Sequence, residues 1–210
     1  LSLWLAEHQM NLEFYKAFGR TSPALPLQDG GNIVHGNATR LNWEEVCPKN
    51  ERNEIYVLGN PPYKGFSQQE ASQEEDIKSI LGQASKLDYI SCWFIKGSEY
   101  IENTKISLAF VTTNSISQGE QVHLLWPIVL KDNIEISFAY QSFKWTNNAK
   151  GNAGVTVVII GLRNKSSKNK YLFIGTIKSN VSYINPYLTQ SNVFTVPKRT
   201  KTLSNMPPMV

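Results

Sequence analysis

The run Leu58-Gly59-Asn60-Pro61-Pro62-Tyr63 sets two oxygen acceptors beside an aromatic plate. That combination suits a planar amine. The lone pair of an amine on a heteroaromatic ring is delocalised, so the nitrogen attacks an electrophile only when it is drawn toward tetrahedral geometry. The Asn60 side-chain oxygen and the Pro61 main-chain carbonyl can accept its two N–H groups and aim the lone pair. Pro61 and Pro62 hold that carbonyl in one direction. Positive charge growing on the nitrogen during attack strengthens both hydrogen bonds, so they favour the transition state over the ground state. Tyr63 supplies a flat surface for the ring that bears the amine, as a base extruded from a duplex requires. A rigid turn in which Tyr63 merely packs is the other reading of the same residues.

The elements that must position this motif follow from apolar spacing. Residues 54–59 read as a short strand that the two prolines terminate, because neither can donate to a ladder. Ligands of open α/β sheets bind at such strand C-terminal ends. Leu3, Ala6, Met10, Phe14 and Phe18 predict a helix over 3–18 that stops at Gly19, and the Pro- and Gly-rich stretch 20–32 predicts a loop. Ile33-Val34 starts a short strand ending at Gly36, and residues 64–76 are a polar segment with no assigned element. Ser85 and Asp88 have capping-box spacing ahead of Leu87, Ile90, Phe94 and Ile101, which predicts a helix over 86–102. Residues 106–112, 134–139 and 155–161 predict strands, and 119–131 a helix that Pro127 should kink or restart. Strands alternating with helices imply an α/β fold with a parallel-dominated sheet. The Lys/Ser/Asn run after Gly161, followed by β-like pieces at 171–177, places a domain boundary near residue 164.

With 210 residues, 41% of them hydrophobic, the chain can bury a substantial core. No apolar run approaches the length of a membrane helix. Cys47 and Cys92 have no CxxC spacing, and the N-terminal residues lack the basic start of a secretory signal, which points to the cytoplasm. His8, His35 and His123 lack metal-ligand spacing, so no metal is expected. The net charge of +4 hides an asymmetry: every acidic residue lies at or before Glu135, so the remaining third is purely cationic. Lys144, Lys150, Arg163, Lys165, Lys168, Lys170, Lys178, Lys198, Arg199 and Lys201 either form a solvated basic face or meet phosphates, with counterion release favouring the contact.

Several segments in the same order resemble one family: 32–38 (NIVHGNA), 58–65 (LGNPPYKG), 87–94 (LDYISCWF), 109–122 (AFVTTNSISQGEQV) and 143–162 (FKWTNNAKGNAGVTVVIIGL). The chain is similar over about residues 1–190 to the MmeI-like adenine-specific DNA methyltransferases of restriction-modification systems. The resemblance implies a partial Rossmann-like methyltransferase fold over 1–163 and the start of a target recognition domain over 164–210. It also implies S-adenosylmethionine as methyl donor, double-stranded DNA as partner and a bacterial or archaeal cytoplasm. By the same resemblance Asn60, Pro61, Pro62 and Tyr63 would form the catalytic motif. Asn37 and Ala38, with Asn60, would contact the donor, unless the former two belong to an ordinary turn. Tyr63, Asn114, Phe143 and Trp145 would face the target base, although Phe143 and Trp145 fit core positions equally well. Lys165, Lys168 and Lys170 would face DNA.

The sequence departs from the family at the donor loop. No FxGxG run precedes residue 59, Asp29-Gly30-Gly31 lacks a preceding strand, and Gly151, Gly154 and Gly161 do not reproduce the loop either. The expectation is an excised piece, inactive alone and binding the donor weakly, whose open sheet edge would support a crystal or edge-strand dimer. An RNA-adenine or protein-glutamine methyltransferase, or a non-catalytic DNA-binding module, are the alternatives.

Overall fold

Short apolar runs become strands here only where a neighbour completes their ladders. The computed structural model describes residues 2–19, 33–50, 54–83, 85–131, 133–145, 155–192 and 195–196. Outside the described residues lie the 20–32 loop, Lys150, Gly151, Gly154, Lys198, Arg199 and Lys201. Packing divides the chain into two units, Leu1–Asn37 with Leu41–Pro48, and Ala38–Arg40 with Lys49–Val210.

The first unit holds two helices, α1 (Ser2–Phe18) and α2 (Trp43–Val46). Helix α1 stops at Gly19 as its spacing predicts: the glycine adopts a left-handed φ of 65° and its N–H reaches the Tyr15 carbonyl at 2.8 Å. Asn42 caps α2 by accepting from the Glu44 amide at 3.0 Å. Ile33 and Val34 form no strand and are exposed, and among the described residues no neighbouring edge pairs with them.

The second unit contains β1 (Tyr56–Gly59), α3 (Ala71–Leu81), α4 (Ser91–Ile101), β2 (Ser107–Thr113), α5 (Gly119–Val129), β3 (Ile134–Trp145), β4 (Val155–Asn164), β5 (Lys170–Ile174) and β6 (Ile177–Val181). The strands form one sheet in the order β1-β2-β4-β3-β5-β6. The sheet is mixed rather than parallel-dominated. β1 with β2 and β3 with β5 are parallel, whereas β4 pairs antiparallel with both β2 and β3, and β5 with β6. The crossover through α5 does leave β2 and β3 pointing the same way, as helix-linked strands should. The strand that follows them then inserts between the two and converts one parallel neighbour into two antiparallel ones. The chain also crosses residue 164 without leaving the sheet, because β5 pairs with β3.

The core lies between this sheet and α4 and α5. The Phe94 ring meets Phe110 and Trp126 edge-on at 5.3 and 5.8 Å, and the Trp126 indole N–H donates to the Ile116 carbonyl at 2.7 Å. Gly97 lets α4 settle onto β2, where any Cβ would overlap Leu108. Helix α5 runs through Pro127 without restarting. The buried Leu125, Trp126 and Val129 hold it, and the proline ring faces solvent.

Two expectations fail between β1 and β2. The polar stretch after the motif contains α3, with a Glu70/Gln73 capping box. It buries only Asp76 and Ile77, too narrow an apolar stripe for periodicity to reveal. Helix α4 begins at Ser91 rather than 86, because the Asp88 side chain is used for tertiary hydrogen bonds instead of a cap. No helix among the described residues is long and apolar enough to cross a membrane.

Candidate active site

Gly59, Asn60 and Pro61 follow one another where β1 ends, and each residue type has a local reason. Gly59 is pressed against the Phe110 ring, so that a Cβ would lie 3.2 Å from it. Pro61 is buried, Pro62 and Asn60 are exposed, and the Tyr63 ring is half-buried. The Tyr63 hydroxyl donates to the Asn60 side-chain oxygen. Burial raises the Tyr63 pKa, opposed by that hydrogen bond, so the hydroxyl is a neutral donor near pH 7. The exposed Asn60 carboxamide is therefore hydrogen-bonded to the hydroxyl of the half-buried Tyr63 just beyond the end of β1.

Strand register decides what shares this end of the sheet. β2 runs parallel to β1, with Gly59 opposite Phe110, so Asn114 just beyond β2 lies at the same end. Thr113 pairs with Val157 near the start of β4, and Trp145 at the end of β3 pairs with Val155. The structure thus gathers Asn60, Tyr63, Asn114, Phe143 and Trp145 at one end. Phe143 and Trp145 are not core aromatics: Trp145 is 39% exposed, Phe143 is half-buried, and their rings stand 6.5 Å apart.

Lys165, Lys168 and Lys170 are not gathered with them. Lys165 and Lys168 occupy the turn from β4 to β5 and Lys170 opens β5, at the opposite end, where Asn164 pairs with Ile134. Lys165 and Lys168 are exposed there, and Lys168 lines a polar cleft of about 420 Å³ with Ser166, Asn169, Asn180, Ser182 and Gln190. Lys170, expected to face DNA, is instead committed to Glu135: its Nζ lies 3.0 Å from Oε2, while Arg163 Nε donates to Oε1 at 2.9 Å. The acid that ends the acidic two-thirds of the chain captures two cations of the basic third. Asn37 is exposed in the first unit, its carbonyl accepting from the Leu41 amide at 3.1 Å, and Ala38 is half-buried in the second.

The tertiary roles of two buried carboxylates escape sequence reasoning. Asp76 accepts from Arg40 Nε at 2.6 Å and from the Tyr89 hydroxyl at 2.6 Å, fixing the segment after Ala38 to α3. Asp88 accepts from the Phe66 amide at 2.9 Å and from Ser115 Oγ at 2.7 Å. Its spacing from Ser85 imitates a cap, so no local signal announces the tertiary role. The residues gathered here fit the amine side of a group transfer. Asp88, buried at this end, has its two carboxylate oxygens hydrogen-bonded to the Phe66 amide and the Ser115 hydroxyl.

Residues 1–174 match the family model described as MmeI, DNA-methyltransferase domain. The chain is 49% identical to DNA methyltransferase A of Bacillus subtilis (strain 168), over 99% of its own length and 24% of the relative's. It superposes on the Type IIL restriction-modification enzyme MmeI, solved in complex with DNA, with a TM-score of 0.83 and 39% identity, covering 98% of this chain and 28% of that one. The chain thus spans about a quarter of the length of these relatives.

Proposed function

Since this chain belongs to the MmeI DNA-methyltransferase family, we propose that it carries the target-amine wall of a restriction-modification DNA adenine methyltransferase. The reaction is transfer of the methyl group of S-adenosylmethionine to the exocyclic nitrogen of adenine in duplex DNA, in a bacterial or archaeal cytoplasm. The observation that carries this reading is the exposed Asn60 carboxamide beside the half-buried Tyr63 ring at a strand C-terminal end.

An extruded adenine stacks on Tyr63 and takes over the acceptor that the Tyr63 hydroxyl holds. Asn60 Oδ1 and the Pro61 carbonyl accept the two amine N–H groups and turn the lone pair outward. As the nitrogen becomes positive, the same two oxygens stabilise it until a proton leaves. Phe143, Trp145 and Asn114 line the base side of the pocket. Ala38 and Asn60 border the methyl donor, and the isolated chain binds it more weakly than low micromolar in isothermal titration. Lys165 and Lys168 meet backbone phosphates at a distance from the reacting base, on a turn held by Lys170 and Arg163. Residues 164–210 begin target recognition although β5 and β6 share the catalytic sheet. The edge of β1, with Tyr56 and Leu58 exposed, pairs with a second copy in the isolated chain.

The test is tritiated methyl transfer by the full-length protein to duplex DNA, RNA and protein, followed by nucleoside analysis. Label recovered as N6-methyladenine in DNA is expected. Label confined to RNA or protein, or salt-dependent DNA binding without label, would replace this reading.

A further inference from the structure

Between β1 and β2 the motif chain and the loop after β2 converge on one side chain. Asp88 is 9% exposed and lies between α3 and α4. Its Oδ1 accepts from the Phe66 amide, three residues past Tyr63, at 2.9 Å. Its Oδ2 accepts from Ser115 Oγ, adjacent to Asn114, at 2.7 Å, and that hydroxyl is also 2.8 Å from Thr113 Oγ1. Its own amide donates to Gln121 Oε1 in the first turn of α5 at 3.0 Å, and Gln121 Nε2 donates to the Lys86 carbonyl at 2.9 Å. The next amide, of Tyr89, donates to the Lys64 carbonyl at 2.8 Å, one residue past Tyr63. The segment after β1, the segment after β2 and the first turn of α5 are thus tied to residues 88 and 89.

The prolines of the motif make no ladder, and the chain beyond Tyr63 is irregular until the short 3-10 turn Phe66–Gln68. Its fixed geometry must come from outside the motif. We infer that Asp88 is a positioning residue: its two carboxylate oxygens lock the Asn60–Tyr63 loop and the Asn114 loop into one frame, so that the amine acceptors and the opposite wall of the base pocket keep a constant separation. Charge-assisted hydrogen bonds to an amide and a hydroxyl are short and directional, as this role requires. Asp76, by contrast, is neutralised by Arg40 and ties down the segment after Ala38 rather than the motif. The inference rests on the proposed amine chemistry for its kinetic consequence, and on geometry alone for its structural one.

Both consequences are measurable in the full-length protein. Amide hydrogen exchange read by mass spectrometry should accelerate in peptides covering 60–68 and 113–117 on Asp88→Ala, with β3 and β4 unchanged. Unchanged exchange in those peptides would overturn the anchoring whether or not the protein methylates DNA. In steady-state methylation of duplex DNA, Asp88→Ala should lower kcat about 100-fold, the usual cost of misplacing a reacting group by an ångström, with both KM values within about 3-fold. Asp88→Asn should recover to within about 5-fold of the parent, because its oxygen still accepts from Phe66 and its amide donates to Ser115 Oγ. Ser115→Ala, which removes one limb, should lower kcat by about 10-fold or less. A parent-like kcat in Asp88→Ala, or an Asp88→Asn variant as impaired as Asp88→Ala, would overturn the positioning role. A parent protein that does not methylate DNA would instead defeat the proposed function and leave the exchange result to decide the anchoring.

Discussion

The two ends of the sheet are built from different interactions. Where β1 and β2 finish, the buried acid Asp88 is held by an amide and a hydroxyl, and Asn60 and Tyr63 hydrogen-bond as neutral groups. Where β4 finishes, Glu135 is clamped between Arg163 and Lys170, with all three side chains at most 15% exposed. Arg163 also donates through Nη2 to the carbonyls of Lys168 and Asn169 at 2.6 and 3.2 Å, so the ion pair shapes the turn itself. Directional hydrogen bonds fix distances at the first end, and ion pairs fasten strand termini at the second. A cationic composition is therefore not a direct measure of DNA-binding surface. Lys178 is exposed, and its Nζ lies 3.9 Å above the Tyr171 ring, a contact within the sheet.

The largest effect that tests this contrast belongs to the hydrogen-bonded end. Asn60→Ala should lower methyl transfer by about 100- to 1,000-fold, the range for removing one preorganised transition-state partner, with DNA affinity retained. Tritium incorporation alongside fluorescence-anisotropy titration checks both halves, and unchanged turnover would erase the functional difference between the ends.

Glu135→Ala should do the reverse. Leaving Arg163 and Lys170 without their counter-charge should cost about 3–5 kcal/mol of stability, read from the urea midpoint, while kcat holds once the protein is folded.

Alkaline pH sharpens the comparison from the hydrogen-bonded side. Burial, with the nearby charge of Asp76 added, pushes the Cys92 thiol from 9.0 up to about 12. The unfolded chain ionises this thiol first, so the stability it contributes is complete below pH 9.0 and is lost as pH rises toward about 12. The slope approaches about 1.4 kcal/mol per pH unit. Urea midpoints between pH 8 and 10.5 should fall more steeply in the parent than in Cys92→Ala.

The smallest effect falls on the exposed lysines. The double variant Lys165→Ala/Lys168→Ala should leave kcat unchanged and reduce the slope of log affinity against log salt by up to about 0.9 for each phosphate no longer neutralised. A fall in kcat without a change in salt slope would move these lysines into the base pocket.

Features encoded by near neighbours are legible in the chain. The NPPY motif, the strand before it, helix α1 with its glycine stop, and the apolar strand β2 depend on residues a few positions away and lie within a residue or two of their expected bounds, while β4 starts at the expected Val155 and runs three residues past the expected end, to Asn164. Asp88 shows the limit. Its three-residue spacing from Ser85 obeys a local rule, but its real partners lie 22 and 27 residues away at Phe66 and Ser115. Helix α3 is hidden for a related reason: it buries an ion-paired aspartate where periodicity looks for an apolar stripe.

The sequence by itself determined which groups can grip a planar amine and that they follow a strand, because residue type and adjacency are covalent facts. Tertiary structure alone decided that β4 slips antiparallel between β2 and β3, and with it that Phe143 and Trp145 share an end with Asn60 while the lysine turn does not. Those outcomes rest on register and on hydrogen bonds between distant segments, whose energies exist only after the chain has closed on itself.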